Sequence, residues 1–290
     1  MLRKLADLEG YAIGATDGVI GEVTDFLLDD EAWVVRYLVV YTGTWLSNRR
    51  VLISPIAIGE PAWGDRVLRV PMSREQVRNS PDVNTDKPVS RQYELGYFDY
   101  YGYYPYYWGF SGLWAAGDNP GALRSRFSEG KTDVEPNTVA ADRARIVLEA
   151  DQHRNDDPHL RSANTLKHYH VHASDGEIGH VQGMLLDETT WAIRYLIVNT
   201  SNWWLGHEVL IAPQWIKAVS WSERSVSINL TRDAIKASPP YDSTDTLHRD
   251  AESRLYNHYQ RQAYWADHVK LENPEFQSGI LRPDGTDRHV

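Results

Sequence analysis

Apolar and β-branched residues fall in short runs along the chain, and one pair of runs occurs twice. Trp33-Val34-Val35-Arg36-Tyr37-Leu38-Val39-Val40 is followed by Thr42, Trp45 and Val51-Leu52-Ile53-Ser54-Pro55. Trp191-Ala192-Ile193-Arg194-Tyr195-Leu196-Ile197-Val198 is followed by Thr200, Trp203 and Val209-Leu210-Ile211-Ala212-Pro213. Runs of β-branched and aromatic residues bounded by turn residues predict strands. The run that starts at Trp33 or Trp191 is almost continuously apolar, which predicts burial on both of its faces over part of its length. Leu68, Val70 and Met72 alternate with polar neighbours, as do Val226, Ile228 and Leu230, the pattern of a half-buried strand.

These runs belong to a longer duplication. Tyr11–Pro81 aligns with Tyr169–Pro239 without a gap, with about 26 identities between Ala15 and Pro81. The period is too long for a solenoid unit, so the chain carries a duplicated domain. Each copy opens with a predicted strand, Tyr11–Ala15 or Tyr169–Ala173, and an Asp-Gly turn at Asp17-Gly18 or Asp175-Gly176. A second strand runs from Ile20 to Leu28, or from Ile178 to Leu186. Strands around Val51–Ser54, Ile56–Gly59 and Val67–Val70 complete the first copy. Ser73-Arg74-Glu75-Gln76 and Thr231-Arg232-Asp233-Ala234 predict short capped helices, stopped by Ser80-Pro81 and Ser238-Pro239. Many short strands, tight turns and a terminal helix predict a small, mostly antiparallel barrel in each copy.

The order Asp-Gly-x-Ile-Gly-x-Val, then Trp-x-x-Arg-Tyr-Leu-x-Val, then Val-Leu-Ile-x-Pro resembles the PRC-barrel domain, and does so twice in register. That family includes a domain of the photosynthetic reaction-centre H subunit and one of a ribosome maturation factor. The resemblance implies a mainly β fold: two tandem small PRC-type β-barrels, each followed by a short helix and an aromatic-rich extension. It implies an interaction module.

The expected organisation is a first barrel with its helix over residues 1–82, an aromatic-rich extension over 83–116 and a polar linker over 117–163. A second barrel with its helix spans 164–240, and an extension and tail span 241–290. Within the linker, Thr138–Ala150 is a candidate helix. The first extension contains Tyr97, Tyr101, Tyr104, Tyr107, Trp108 and Trp114 in a run of aromatics. Tyr and Trp supply large contact areas with a polar tip, so the run either covers its own barrel or meets a partner. The second extension keeps the register: Arg91 meets Arg249, Glu94 meets Glu252, Phe98 meets Tyr256 and Tyr101 meets Tyr259. Leu255, Tyr256 and Tyr259 fall at helical spacing, which predicts an amphipathic segment with one buried face. The candidate interaction surface is therefore Trp45, Trp203, Trp204, Tyr101, Tyr104, Tyr107, Trp108, Tyr256 and Tyr259.

Composition narrows the chemistry. Hydrophobic residues make up 42% and charged residues 24% of 290 residues, ordinary for a soluble globular protein. The formal net charge is -10, and no basic stripe of the kind that binds nucleic-acid phosphates is visible. The absence of cysteine excludes disulfides, thiolate metal ligands and a cysteine nucleophile. The first residues lack a secretory signal pattern and no apolar run is long enough to cross a bilayer, so a cytoplasmic location is expected. His168, His170 and His172 alternate on a predicted strand and form the one metal candidate, but a single strand offers no fourth ligand, so a metal-free strand is expected. No motif of hydrolytic or phosphate chemistry is present. Arg36 and Arg194, inside apolar strands, each require an acidic or carbonyl partner. The expected function is a non-enzymatic, self-associating interaction or assembly protein that needs no cofactor. The alternatives are a peripheral subunit of a membrane complex resembling the reaction centre, and a metal-dependent enzyme built on the histidine strand.

Overall fold

The computed structural model describes residues 1–59, 63–81, 91–102, 160–200, 207–244 and 246–266. The expected helix over 138–150, Tyr104, Tyr107, Trp108, Trp114, Trp203 and Trp204 lie outside the described residues.

The chain is mainly β and forms two sheets. In the first copy the strands are β1 (Leu2–Lys4), β2 (Ala12–Ala15), β3 (Gly18–Asp29), β4 (Val34–Tyr41), β5 (Arg50–Ile53) and β6 (Val67–Arg69). They are followed by helices α1 (Arg74–Arg78) and α2 (Arg91–Tyr101). In the second copy they are β7 (Leu160–Ser162), β8 (His170–Ala173), β9 (Gly176–Asp187), β10 (Ile193–Asn199), β11 (Glu208–Ile211), β12 (Ile216–Ser220) and β13 (Ser225–Ile228). A one-turn helix α3 (Ala163–Leu166) follows β7, and helices α4 (Arg232–Lys236) and α5 (Arg249–His258) follow β13.

The sheets share one strand order. The first runs β5-β4-β3-β2-β6 and the second β11-β10-β9-β8-β13-β12. In both, the first hairpin is antiparallel and the strand before the short helix returns parallel to the opening strand, β6 to β2 and β13 to β8. Among the described residues the ladders form two sheets, and no closed barrel is seen. The stretch Ile56–Gly59 is also not a strand. Pro55–Ala57 turns as a 3-10 helix, because Pro55 fixes its own φ and Ser54 accepts a hydrogen bond from the Ile56 amide. The equivalent Pro213–Trp215 turn leads into a true strand, β12.

The repeat reaches further back than its identities suggest. Arm β1 does not join its own sheet. It pairs with β9 of the second copy, Leu2 opposite Asp187 and Lys4 opposite Leu185. Arm β7 pairs with β3 of the first copy, Leu160 opposite Asp29 and Ser162 opposite Leu27. The copies thus exchange arms reciprocally. Arg3 reaches Glu188 at 2.6 Å and Arg161 reaches Asp30 at 3.2 Å, and the same arginines stack on Trp63 and Trp221.

Two tryptophans fix the centre of this junction. Trp33 and Trp191 are buried in the left-handed region, at φ 55 and φ 60. That conformation costs a bulky residue about 1–2 kcal/mol. It aims each carbonyl at the other copy: the Ile193 amide donates to the Trp33 carbonyl at 2.7 Å, and the Val35 amide donates to the Trp191 carbonyl at 2.9 Å.

β4 is buried along its whole length but for Tyr41. Leu38 and Val40 enter the main core, while Tyr37 and Val39 pack with Leu52, Tyr97 and Phe98 under α2. Gly21 and Gly179, from the repeated Ile-Gly-x-Val motif, sit where a Cβ would run into the backbone of Tyr41 and of Asn199. Only glycine lets these strands cross so closely.

Candidate interaction surface

The arginines inside the strands are paired as their surroundings require. Arg36 donates through Nε and Nη2 to Asp29 Oδ2, at 3.3 and 2.9 Å. Asp29 Oδ1 caps the turn, accepting from the amides of Glu31 and Ala32. Arg194 repeats this with Asp187, at 3.3 and 3.1 Å, and adds Thr190. Burial pushes the Asp29 carboxyl up, but Arg36 and the two amides outweigh it and hold it below the ordinary range. Asp187 is lowered in the same way, its burial offset by the Thr189 amide and Arg194.

A second repeated pair fastens the helices. Tyr37, fully buried, donates to Glu94 Oε1 of α2 at 3.2 Å, and Tyr195 donates to Glu252 Oε1 of α5 at 2.9 Å. Glu252 also accepts from Tyr264 at 3.0 Å and pairs with Arg249 at 3.0 Å. Burial raises the Glu252 carboxyl despite these partners, and pushes Tyr195 far above its ordinary value. The sequence brings Glu94 and Glu252 into register, but their tyrosine partners lie 57 residues upstream and only the fold joins them.

Several expected surface residues are spent inside the chain. Tyr256 and Tyr259 are 2% and 8% exposed and pack on Trp215, with ring centroids 5.4 and 4.7 Å away. Tyr101 is half-buried against Tyr97 at 4.7 Å. These three pack α2 and α5 onto their sheets, because the outer faces of β4 and β10 are too apolar to be left in water.

The histidine strand also differs from expectation. His168 lies before β8, in the left-handed region at φ 72, so only His170 and His172 share the strand. His170 Nδ1 meets Glu177 at 2.9 Å, and the His168 and His180 rings are 6.1 Å apart. Among the described residues no three His, Asp or Glu side chains converge as metal ligands.

Among the described residues, the rim of the first copy around Trp45 is partly exposed. Trp45 sits half-buried in a 3-10 turn over Gly43–Leu46, its Nε1 donating to the Ile20 carbonyl. The Arg74 guanidinium lies over the indole at 4.2 Å and that of Arg78 at 5.9 Å. Arg74 is placed by its own amide, which donates to Asp17 Oδ1 of the Asp-Gly turn at 2.8 Å. Arg49 donates to the Arg78 and Ser80 carbonyls. Beside them Val19 is 58% exposed and Tyr100 40% exposed, two of the three large apolar side chains that stand out in water among the described residues. Tyr100 is tied to this rim through Gln76, whose carbonyl accepts from its hydroxyl at 2.8 Å. The rim is basic and aromatic on a chain of net charge -10.

The fold is that of two small β-sheet units, and the first carries this rim. A model of the PRC-barrel domain matches residues 2–74, from the exchanged arm to the start of α1, so this part of the chain is a PRC-barrel domain. No curated protein matches the chain. No described helix is long and apolar enough to cross a membrane.

Proposed function

We propose that the chain is a non-enzymatic assembly protein built from two PRC-barrel modules, and that the rim around Trp45 receives an acidic partner protein. The PRC-barrel match over residues 2–74 carries the assembly reading. The second copy is taken as the same module because its sheet has the same strand order and its sequence aligns without a gap. The polarity of the partner follows from Arg74 and Arg78 beside an aromatic ring and exposed Val19, the mixture enriched at protein interfaces. The copies already pair inside one chain, so the reading replaces the expected self-association with an intramolecular pair of modules. Light scattering should give the mass of one chain, 33.2 kDa, and a dimer mass overturns that part.

The partner surface is tested by capture from the native host with quantitative mass spectrometry. The second copy carries Glu177 where the first carries Val19, so Val19→Glu is a change this fold already accommodates. Val19→Glu with Arg78→Glu should cut capture of specific partners about tenfold or more. Unchanged capture places the contact elsewhere and overturns the assignment.

A further inference from the structure

The exchanged arms obey an approximate two-fold relation in which residue i of the first copy meets the second copy as residue i + 158 meets the first. Arg3 with Glu188 answers Arg161 with Asp30, and Leu2 opposite Asp187 answers Leu160 opposite Asp29. A position lying on such an axis meets its own equivalent. Val34 does so in an isolated bridge to Ala192. Glu9 does so in an ion pair with Lys167, Oε1 to Nζ 2.7 Å, with both side chains partly screened from water.

We infer that the junction between the two copies is a selective pairing surface that accepts the unlike copy and rejects the like one, with Glu9 and Lys167 as the specificity pair. The surface fits one kind of partner, a PRC-type module carrying the opposite charge at the axis. Two first copies set together in this geometry would place Glu9 against Glu9. Two second copies would place Lys167 against Lys167. Like charges at such a contact are penalised, whereas the observed pairing joins opposite ones.

A second asymmetry acts in the same direction. Asp25 Oδ2 accepts from the Ser162 hydroxyl at 2.5 Å, and Asp25 Oδ1 accepts from the Asn164 amide at 3.1 Å, holding arm β7 and the start of α3 to β3. Asn164 Nδ2 also donates to the Thr24 carbonyl at 3.1 Å. The equivalent of Asp25 in the second copy is Gly183, which has no side chain to offer. The second copy's arm is therefore matched to the first copy and finds no such acceptor on its own kind. The main-chain pairing of the two arms, which the copies share, supplies affinity without distinguishing them.

This inference stands apart from the acidic-partner reading and is tested separately. A protease site is placed in the connecting segment of the full chain, between residues 125 and 135, and the purified protein is cut. The halves should stay together as a 1:1 complex, and sedimentation on dilution gives their dissociation constant. Glu9→Lys should weaken that complex about 3- to 10-fold, and Glu9→Gln by less, because only the attraction is lost. Adding Lys167→Glu to Glu9→Lys should restore affinity to within about twofold of the unsubstituted complex. Halves that separate on cutting, or that sort into pairs of like halves, overturn the inference. So does an absence of weakening by Glu9→Lys, or a failure of the double reversal to rescue it.

Discussion

Tyr256→Ala tests whether the segment after each sheet is a structural part of the domain. Tyr256 is 2% exposed and lies within ring-stacking distance of Trp215, Tyr264, Trp265 and Tyr195, at centroid separations of 5.4, 6.3, 5.2 and 6.3 Å. A buried aromatic of this size removes about 150–250 Å² from water, worth about 4–6 kcal/mol at about 25 cal/mol per Å². Truncation to alanine keeps part of that and leaves a cavity, so a loss of about 3–5 kcal/mol is expected. The hydroxyl meets the Tyr195 side chain as well as Gln214, the latter at 3.5 Å, so Tyr256→Phe should cost about 1 kcal/mol, well below the alanine variant. Urea titration followed by far-ultraviolet circular dichroism and by tryptophan fluorescence reads both variants. Because β1 and β7 bind each copy into the other's sheet, the two signals should move together in one transition shifted to lower urea. A loss below about 1 kcal/mol for Tyr256→Ala would mean that α5 is a passive appendage and refute the reasoning. So would an early transition confined to the second copy.

Three further perturbations probe other parts of the fold. Asp29→Asn leaves Arg36, 2% exposed, without its carboxylate and should cost about 3–5 kcal/mol in chemical denaturation; Asp187→Asn, at a more open pair, should cost less. Asp29 has a depressed carboxyl, so its contribution is present above pH 3.8 and is lost as pH falls through its native value; stability-against-pH curves of Asp29→Asn should lack that acid limb. Glu252 is raised instead, so its effect has the opposite sign: stability declines as pH rises above 4.5 toward its native value, and Glu252→Gln should flatten the decline in melting curves taken from pH 4 to 8. Gly21→Ala or Gly179→Ala drives a Cβ into the backbone of Tyr41 or Asn199 and should cost more than about 2 kcal/mol or prevent folding, read by melting temperature and soluble yield; a shift under about 2 °C would contradict the crossing geometry.

The strands of the two copies were legible because periodicity and composition are local. β4 and β10 carry long apolar runs, and their burial on both faces follows from that alone. Ser73 and Thr231 cap their helices as their residue types dictate, each accepting from the amide three residues on. An acidic or carbonyl partner for Arg36 and for Arg194 was demanded by desolvation, although chemistry alone did not single out Asp29 and Asp187. The arms were not legible. β1 and β7 are three residues long, too short for a period, and their partners lie more than a hundred residues away. A buried face for Leu255, Tyr256 and Tyr259 was legible from their spacing, but what covers it was not. An aromatic residue such as Tyr256 has the same composition whether it covers its own sheet or another protein, and only the geometry of α5 decides between them.

The exchange of arms has a consequence for the order in which the chain can be completed on the ribosome. β1 is made well over a hundred residues before its partner β9, so it waits while the whole first copy is completed. The first sheet has all of its own strands and α2 by Tyr101, yet the flank of β3 at Leu27–Asp29 stays unpaired until β7 emerges about 60 residues later. At 5–20 residues per second that interval is about 3–12 s. During it the nascent first copy presents an apolar strand edge, the kind of surface that pairs with other chains. Codons that slow elongation between the copies should therefore lower soluble yield, and holding chaperones should act most on chains stalled in that interval.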